Sequence, residues 1–313
     1  MKAPNQNYGL EHIELQLAMH QHSPLQFGFD LTEEYLEKVS GAKTIYSTEK
    51  DETNFDLCVK AAKKLISARP DLPSRLDAIL VVTLPTEAIV APLSARLQGV
   101  LAAPQNTFCL DLSLSCVGFL QTASVALDMM SNRQWKNVLV VNIQTQTKIV
   151  RPQDHTCRLL LSDSATACLF SDQPRLVFEQ FDFFSDGSLA EILETRDGHL
   201  FMDGPRVYET VVRRIPASVR TSLEKFGLRR EDVDLFLFHQ ASKRVLDKLI
   251  EDLELDPARV PVSIHEVGNL GNSSLPHLLS RLLSEPQNEK TRIFATAFGA
   301  GFQWAHAALK MKD

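Results

Sequence analysis

Four short apolar runs constrain any fold this chain can adopt. Leu76–Thr83 (LDAILVVT) and Asn137–Ile143 (NVLVVNI) have counterparts in Val233–His239 (VDLFLFH) and Thr291–Phe298 (TRIFATAF). Runs of this length behind polar lead-ins suit strands buried on both faces of a layered sheet. Glu11–Met19 (EHIELQLAM) alternates instead, as a half-buried strand does. Helical spacing predicts helices over Asn54–Ser67, Ser94–Leu101 and Val117–Met130, and then over Val207–Phe226, Lys243–Leu253 and Leu275–Leu283. In Val117–Met130 only Gln121, Thr122, Ser124 and Asp128 interrupt the apolar surface, which predicts an internal helix. The lead-ins match in pairs, RLDAILVVT with DVDLFLFHQ and WKNVLVVN with EKTRIFATA. We read a weak internal duplication: two similar α/β halves, residues 1–172 and 173–313, joined near SDQPRL and packed against one another. Residues 184–205 read as an irregular excursion rich in turn residues.

With 313 residues and 44% hydrophobic content, the chain can bury a large core. Its net charge of -6 and lack of a long basic run argue against nucleic acid or an anionic membrane as partner. No run approaches the roughly 18 apolar residues of a membrane span. The first residues, MKAPNQNYGL, have no apolar core of a signal peptide, so a cytoplasmic protein is expected. Cys58, Cys109, Cys116, Cys157 and Cys168 form no CxxC and no metal-ligand spacing. Their odd number argues for reduced thiols, with no metal expected.

Three segments could carry chemistry. Cys116 sits where DLSLS gives way to the helix VGFLQTASVALDMM. There it is either a small hydrophobe closing a core or a nucleophile whose pKa of about 8.5 is lowered by the helix dipole. Gly118 would let a substrate approach the backbone closely. His239 ends a buried strand in LFLFHQASKRVLDKL. Ligands collect at that edge of layered α/β folds, so it is a base or hydrogen-bond donor, or else a histidine satisfied by the next helix start. In EVGNLGNSSLPHLL, the residues Gly268, Asn269, Gly271, Asn272, Ser273 and Ser274 form a donor-rich turn that could fix a substrate carbonyl or cap the following helix. A Cys, a His and an Asn from three strand-to-helix junctions supply a nucleophile and two donors for acyl chemistry. FGAGF lacks the rest of a dinucleotide fingerprint, and His265 and Glu266 in IHEVGN do not make HExxH.

Together these motifs resemble the thiolase-like condensing enzymes, in particular β-ketoacyl-acyl-carrier-protein synthase III. The family's Cys-x-Gly-Phe is matched by Cys116-Val117-Gly118-Phe119, and its His-Gln-Ala-Asn by His239-Gln240-Ala241 with Ser242 last. Its Gly-Asn to Ser-x-Pro segment is matched by Gly268-Asn269 and Ser274-Leu275-Pro276. Its C-terminal Phe-Gly-Gly-Gly-Phe-x-Trp is matched by Phe298-Gly299-Ala300-Gly301-Phe302-Gln303-Trp304. The resemblance runs from about Thr32 to Lys310. It implies a five-layered αβαβα fold of two duplicated βαβαβ halves, and a homodimer with the segment near Asn106–Ser115 at its interface. It implies that Cys116 is acylated by a thioester in an oxyanion hole made by the Cys116 and Ala300 amides. His239 and Asn269 would hold a malonyl thioester as carbon dioxide leaves. The substrates would be acyl and malonyl thioesters of acyl carrier protein or coenzyme A, with no further cofactor.

Several positions depart from the family pattern. Tyr35 and Val39 stand where the coenzyme A-using members place a tryptophan and an arginine on the adenine, and His155 replaces another arginine. A coenzyme A donor is therefore disfavoured. Arg244 keeps the arginine at the tunnel mouth and, with Lys243, Lys248, Arg213 and Arg214, could dock an acidic carrier protein. Ala91, in TEAIVAPLSARL, replaces a phenylalanine that projects into the partner subunit's acyl pocket, which predicts a primer larger than acetyl. SDSATA, Ser162–Ala167, replaces a glycine-rich turn. A divergent member in fatty acid or polyketide-like specialised metabolism is expected. The alternatives are an acyltransferase that passes the acyl group to a small-molecule O or N nucleophile, and a non-catalytic helper subunit.

Overall fold

The structure is a computed structural model and describes residues 7–29, 32–84, 90–285 and 291–312. The first half of the chain forms strands β1 (Gly9–Leu17), β2 (His20–His22), β3 (Ile45–Ser47), β4 (Ala78–Thr83), β5 (Phe108–Ser113), β6 (Asn137–Gln144) and β7 (Ser164–Ser171). Its helices are α1 (Glu33–Val39), α2 (Asn54–Ala68), α3 (Leu93–Leu101), α4 (Gly118–Arg133) and α5 (His155–Arg158). The second half forms β8 (Leu176–Ser185), β9 (Leu193–Arg196), β10 (His199–Met202), β11 (Leu235–Phe238), β12 (Arg292–Gly299) and β13 (Gln303–Met311). Its helices are α6 (Gly204–Lys225), α7 (Lys243–Asp252), α8 (Ile264–Val267) and α9 (Ser274–Ser284).

Nine strands run in the order β11-β12-β13-β8-β1-β7-β6-β4-β5. Strands β5, β4 and β6 are parallel, whereas β7 and β1 add antiparallel. In the second half β11 and β12 are parallel, and β13 and β8 add antiparallel. The two groups touch through a single pair, Leu10 opposite Leu176, so they are two sheets that meet at one corner. Residue 172 lies between β7 and β8, at that junction.

Because successive strand side chains point to opposite faces, the apolar runs build two layers at once. Ala78, Leu80 and Val82 of β4 pack on α4 and α9, while Ile79 and Val81 face α2 and α3. In β12, Ile293, Ala295 and Ala297 face the same middle helices, and Phe294 and Phe298 face α6 and α7. The layers are therefore helix, sheet, helix, sheet, helix, which is the five-layered αβαβα arrangement of two duplicated halves. Helix α4 is internal as its composition predicts, with Phe119, Leu120, Ala123 and Ala126 fully buried. At the outer layer, α2 starts in a capping box. Thr53 Oγ1 accepts from the Asp56 amide at 3.2 Å, and Asp56 Oδ2 accepts from the Thr53 amide at 2.8 Å.

One part of the fold differs from the sequence reading. Residues 184–205 are not irregular: β9 and β10 pair there as an antiparallel hairpin, with His199 opposite Arg196. The segment SDSATA, Ser162–Ala167, runs into β7 and is buried throughout. Ser162 and Asp163 are fully buried, and Asp163 accepts from both the amide and the hydroxyl of Thr48 and of Thr147. Four donors satisfy the carboxylate that burial penalises. No helix of the described residues is long and apolar enough to cross a membrane.

Candidate active site

Strand β5 delivers Cys116 to the floor of a cavity of about 1030 Å³ between the two halves. Helix α4 begins at Gly118, so the thiol lies just before its first turn, close to the positive end of the dipole. Burial nevertheless dominates and pushes the Cys116 thiol above its ordinary range, opposed by hydrogen bonds from the Ser115 hydroxyl and its own amide. The lowered pKa expected at the start of a helix does not follow, because taking the thiolate out of water outweighs the two hydrogen bonds that favour it. Ser115 Oγ donates to Cys116 Sγ at 3.6 Å.

Two glycines press on this cysteine's surroundings. A Cβ on Gly299 would lie 3.0 Å from Cys116 Cβ and 3.3 Å from Sγ, so a side chain there would force the cysteine or the β12 end to give by a few tenths of an ångström. A Cβ on Gly118 would lie 2.8 Å from Val82 Cγ1. Gly118 therefore serves helix-to-strand packing, not the substrate approach read from the sequence. The next residue after Gly299, Ala300, also lines the cavity. Among the described residues neither the Cys116 nor the Ala300 amide donates to another residue's oxygen, and the Cys116 amide is engaged only by its own sulfur.

His239 follows β11, its amide donating to Thr296 O at 2.8 Å on the neighbouring strand. The ring is 3% exposed, lies edge-on to Phe298 at 5.4 Å, and faces the cavity. Burial pushes its pKa down to about 4, so at neutral pH it is an uncharged imidazole with one N–H to donate. Nδ1 has no hydrogen-bond partner among the described residues. Gln240, by contrast, is a brace: its amide donates to Phe238 O at 2.9 Å and accepts from the Ser263 amide at 2.9 Å.

Asn269 is held through both its side chain and its backbone. Its Oδ1 accepts from the Gly271 amide at 2.8 Å, and Nδ2 donates to Ala241 O at 3.3 Å, leaving one N–H free to donate into the cavity. Its backbone carbonyl accepts from the Ser162 amide and from Gln146 Nε2, both at 2.9 Å. Gln146 Oε1 in turn accepts from Gln144 Nε2 at 3.1 Å, completing a buried relay from the end of β6. Gly268 and Gly271 flank this residue with φ of 67° and 56°, where a side chain would be strained. The capping role read for the turn does not hold, because no side chain caps α9. Asn272 instead reaches the carbonyls of Val82 and Ile143 at the ends of β4 and β6.

Tyr35, His155 and Arg244 line the same cavity, whereas Ala91 is exposed and lies outside the cavity of its own chain. Residues 86–89 of the TEAIVAPLSARL segment lie outside the described residues. His155 packs edge-on to Phe29 at 5.9 Å, and the Arg244 guanidinium sits 4.3 Å over the Tyr208 ring. The basic patch is smaller than the sequence suggests. Lys243 pairs with Asp247, Lys248 with Asp252 and Arg214 with Asp186, leaving Arg213 and Arg244 without an ion pair among the described residues. Sequence reasoning missed Ser115, Gln146 and the β9–β10 hairpin, whose Leu200, Phe201 and Met202 wall the cavity. The Asp197-Gly198 pair between LETR and HLFM was the available signal for the hairpin; Ser115 and Gln146 carry none. Among the described residues no three His, Cys, Asp or Glu side chains converge as a metal site would require.

The chain is similar to known proteins over most of its length. Residues 110–187 match the family model described as 3-oxoacyl-[acyl-carrier-protein (ACP)] synthase III, and residues 223–311 match its C-terminal counterpart. Together they cover more than half of the chain. A β-ketoacyl-[acyl-carrier-protein] synthase III of Lactococcus lactis subsp. lactis is 28% identical over 302 residues, covering 90% of this chain and 92% of that protein. Among solved structures, a 3-oxoacyl-(acyl-carrier protein) synthase from Burkholderia xenovorans superposes with a TM-score of 0.89 at 25% identity, over 99% of this chain and 95% of that one. A priming β-ketosynthase of a polyketide biosynthetic pathway gives 0.88 at 25% identity, over 100% and 99%.

Proposed function

The chain belongs to the 3-oxoacyl-[acyl-carrier-protein] synthase III family of condensing acyltransferases, and from that premise we propose that Cys116 carries the acyl group it condenses. Cys116 attacks the carbonyl of an acyl thioester, the bond to the carrier sulfur breaks, and the carrier thiol leaves with the proton. The Cys116 and Ala300 amides hold the oxygen on which charge develops. A malonyl thioester then places its carbonyl oxygen at His239 and Asn269. As the bond to the carboxylate breaks, carbon dioxide departs and its electron pair forms an enolate on that oxygen. A neutral His239 suits this role: it donates a hydrogen bond to the oxygen without placing a fixed cation in a buried site. The enolate carbon attacks the acyl carbonyl, the acyl–sulfur bond breaks, and the Cys116 thiolate is restored.

Convergence of Cys116, His239 and Asn269 on one cavity carries this assignment. The cavity volume, about 1030 Å³, sits at the top of the roughly 300–1,000 Å³ range of ligand pockets, and in this reading the small Ala91 leaves the acyl pocket of a second copy unfilled. Both support an acyl primer larger than acetyl. Acyl carrier protein is the proposed carrier, met at the Arg244 mouth, and no cofactor beyond the thioesters takes part. The enzyme works as a cytoplasmic homodimer in this reading. Strand β5 ends its sheet with Phe108, Leu110 and Leu112 only half-buried, an edge that a second copy would cover.

The test is to acylate the protein, add malonyl-acyl carrier protein, and follow carbon dioxide together with loss of the acyl-cysteine by intact mass. Release of both supports condensation. An acyl-cysteine that survives malonyl but is discharged by a small alcohol or amine supports the acyltransferase alternative. No acylation by any thioester overturns both.

A further inference from the structure

We propose that Ser115 is a catalytic residue of this site, its hydroxyl donating a hydrogen bond to the Cys116 sulfur and favouring the thiolate that opens the reaction. The inference rests on the reading of Cys116 as the acyl-carrying nucleophile. Ser115 Oγ stands 3.6 Å from Cys116 Sγ, within reach of a sulfur hydrogen bond, and both residues line the cavity. The backbone around the hydroxyl is fixed: the Ser115 carbonyl accepts from the Gly118 amide at 2.8 Å, which locks the turn entering α4.

The need for such a donor follows from the rest of the site. The half-buried thiol lies against Gly299 at the end of β12, where partial removal from water disfavours its charged form. His239 is an uncharged imidazole and brings no cation to offset this. No lysine or arginine makes a hydrogen bond or ion pair with Cys116 among the described residues, so the near electrostatic help comes from the helix terminus, the Cys116 amide and the Ser115 hydroxyl. The hydroxyl's contribution is specific to one stage. A thiolate sulfur is a strong acceptor, whereas the sulfur of an acyl-cysteine carries no charge, so the bond is strong before acylation and when Cys116 leaves after condensation. Proton balance is simple: the thiol proton departs with the carrier thiol, and Ser115 keeps its own.

The experiment measures the pH midpoint of Cys116 alkylation by iodoacetamide, followed by intact mass, in the full chain carrying Ser115→Ala or Ser115→Thr. Cys116→Ala supplies the background from the other thiols, and thermal unfolding checks that each variant folds. We expect S115A to raise the midpoint by about one unit, with alkylation near pH 7 about tenfold slower, and S115T to restore it. The rate of Cys116 acylation at pH 7 falls in step. An unchanged midpoint in S115A, or an equal rise in S115T, overturns the assignment. Failure of every thioester to acylate Cys116 would sink the nucleophile reading, and it is seen separately from the midpoint shift.

Discussion

The glycine beside the thiol gives the most stringent test of the site geometry. In Gly299→Ala, the new Cβ would stand 3.0 Å from Cys116 Cβ, 3.3 Å from Sγ and 3.5 Å from the Cys116 amide nitrogen. The first two distances are shorter than ordinary carbon–carbon and carbon–sulfur contacts, so Cys116 or the β12 end has to give by a few tenths of an ångström. The third puts a methyl beside one of the two amides proposed to hold the oxyanion. Overpacking of this kind costs stability of about 1–3 kcal/mol, which the large core tolerates. Loss of one oxyanion donor slows acyl chemistry by roughly 100-fold to 1,000-fold, and a 1 Å misplacement of reacting groups by about 100-fold. We therefore expect G299A to fold and to acylate Cys116 about 100-fold more slowly than the parent, measured by quenched intact mass over time. Acylation within threefold of the parent in a folded G299A would refute the close approach of β12 to the thiol and the amide pair built on it.

Other outcomes follow from the same geometry. Gln146→Leu removes one of the two donors to the Asn269 carbonyl, so carbon dioxide release from malonyl thioester should slow by about 10-fold while Cys116 acylation is unchanged; equal slowing of both steps would contradict a role through Asn269. Arg244→Glu should raise the KM for carrier-bound substrate about tenfold and leave that for a pantetheine thioester unaltered; an unchanged KM for the carrier-bound form removes Arg244 from docking. Burial lowers the pKa of His239 and of His277 to about 4, and that of His306 to about 3. Each is depressed below the unfolded value near 6.5, so its stabilising contribution is full above that pH and is lost as pH falls towards the folded pKa. Stability from chemical denaturation should accordingly drop between pH 6.5 and 4, by about 1.4 kcal/mol per pH unit for each such histidine, and a flat profile over that range would show that they do not stay neutral in the fold.

The layers and the site were legible in the sequence to different degrees. Buried strands such as β4 and β6 advertise themselves because both faces are apolar, and α4 because its polar positions are few. Strand β7 was silent: Ser164, Thr166 and Ser171 are buried there, Thr166 accepting from Asn142 and Ser171 from the Gln173 amide, and polar letters hide a buried strand. Strand β13 hides similarly behind His306, whose ring is satisfied by Ser218 and Thr296. Cys116, His239 and Asn269 were found through motif order; their meeting in one cavity is a property of the fold. The sign of the Cys116 shift could not be read, since it depends on how much water the cavity floor excludes. Gln146 could not be read either, because its partner is a backbone carbonyl 123 residues away.

The central claim is a division of labour, with Cys116 taking the acyl group and His239 and Asn269 acting on the malonyl thioester. It is tested most directly by single turnover with His239→Ala and Asn269→Ala. Each variant is offered acyl thioester and then malonyl-acyl carrier protein, with acyl-cysteine and carbon dioxide followed together. The account predicts that both variants form acyl-cysteine at near the parent rate and then hold it, with carbon dioxide release slowed at least about 100-fold. Loss of acylation in either variant, or parent-like carbon dioxide release in both, would contradict it.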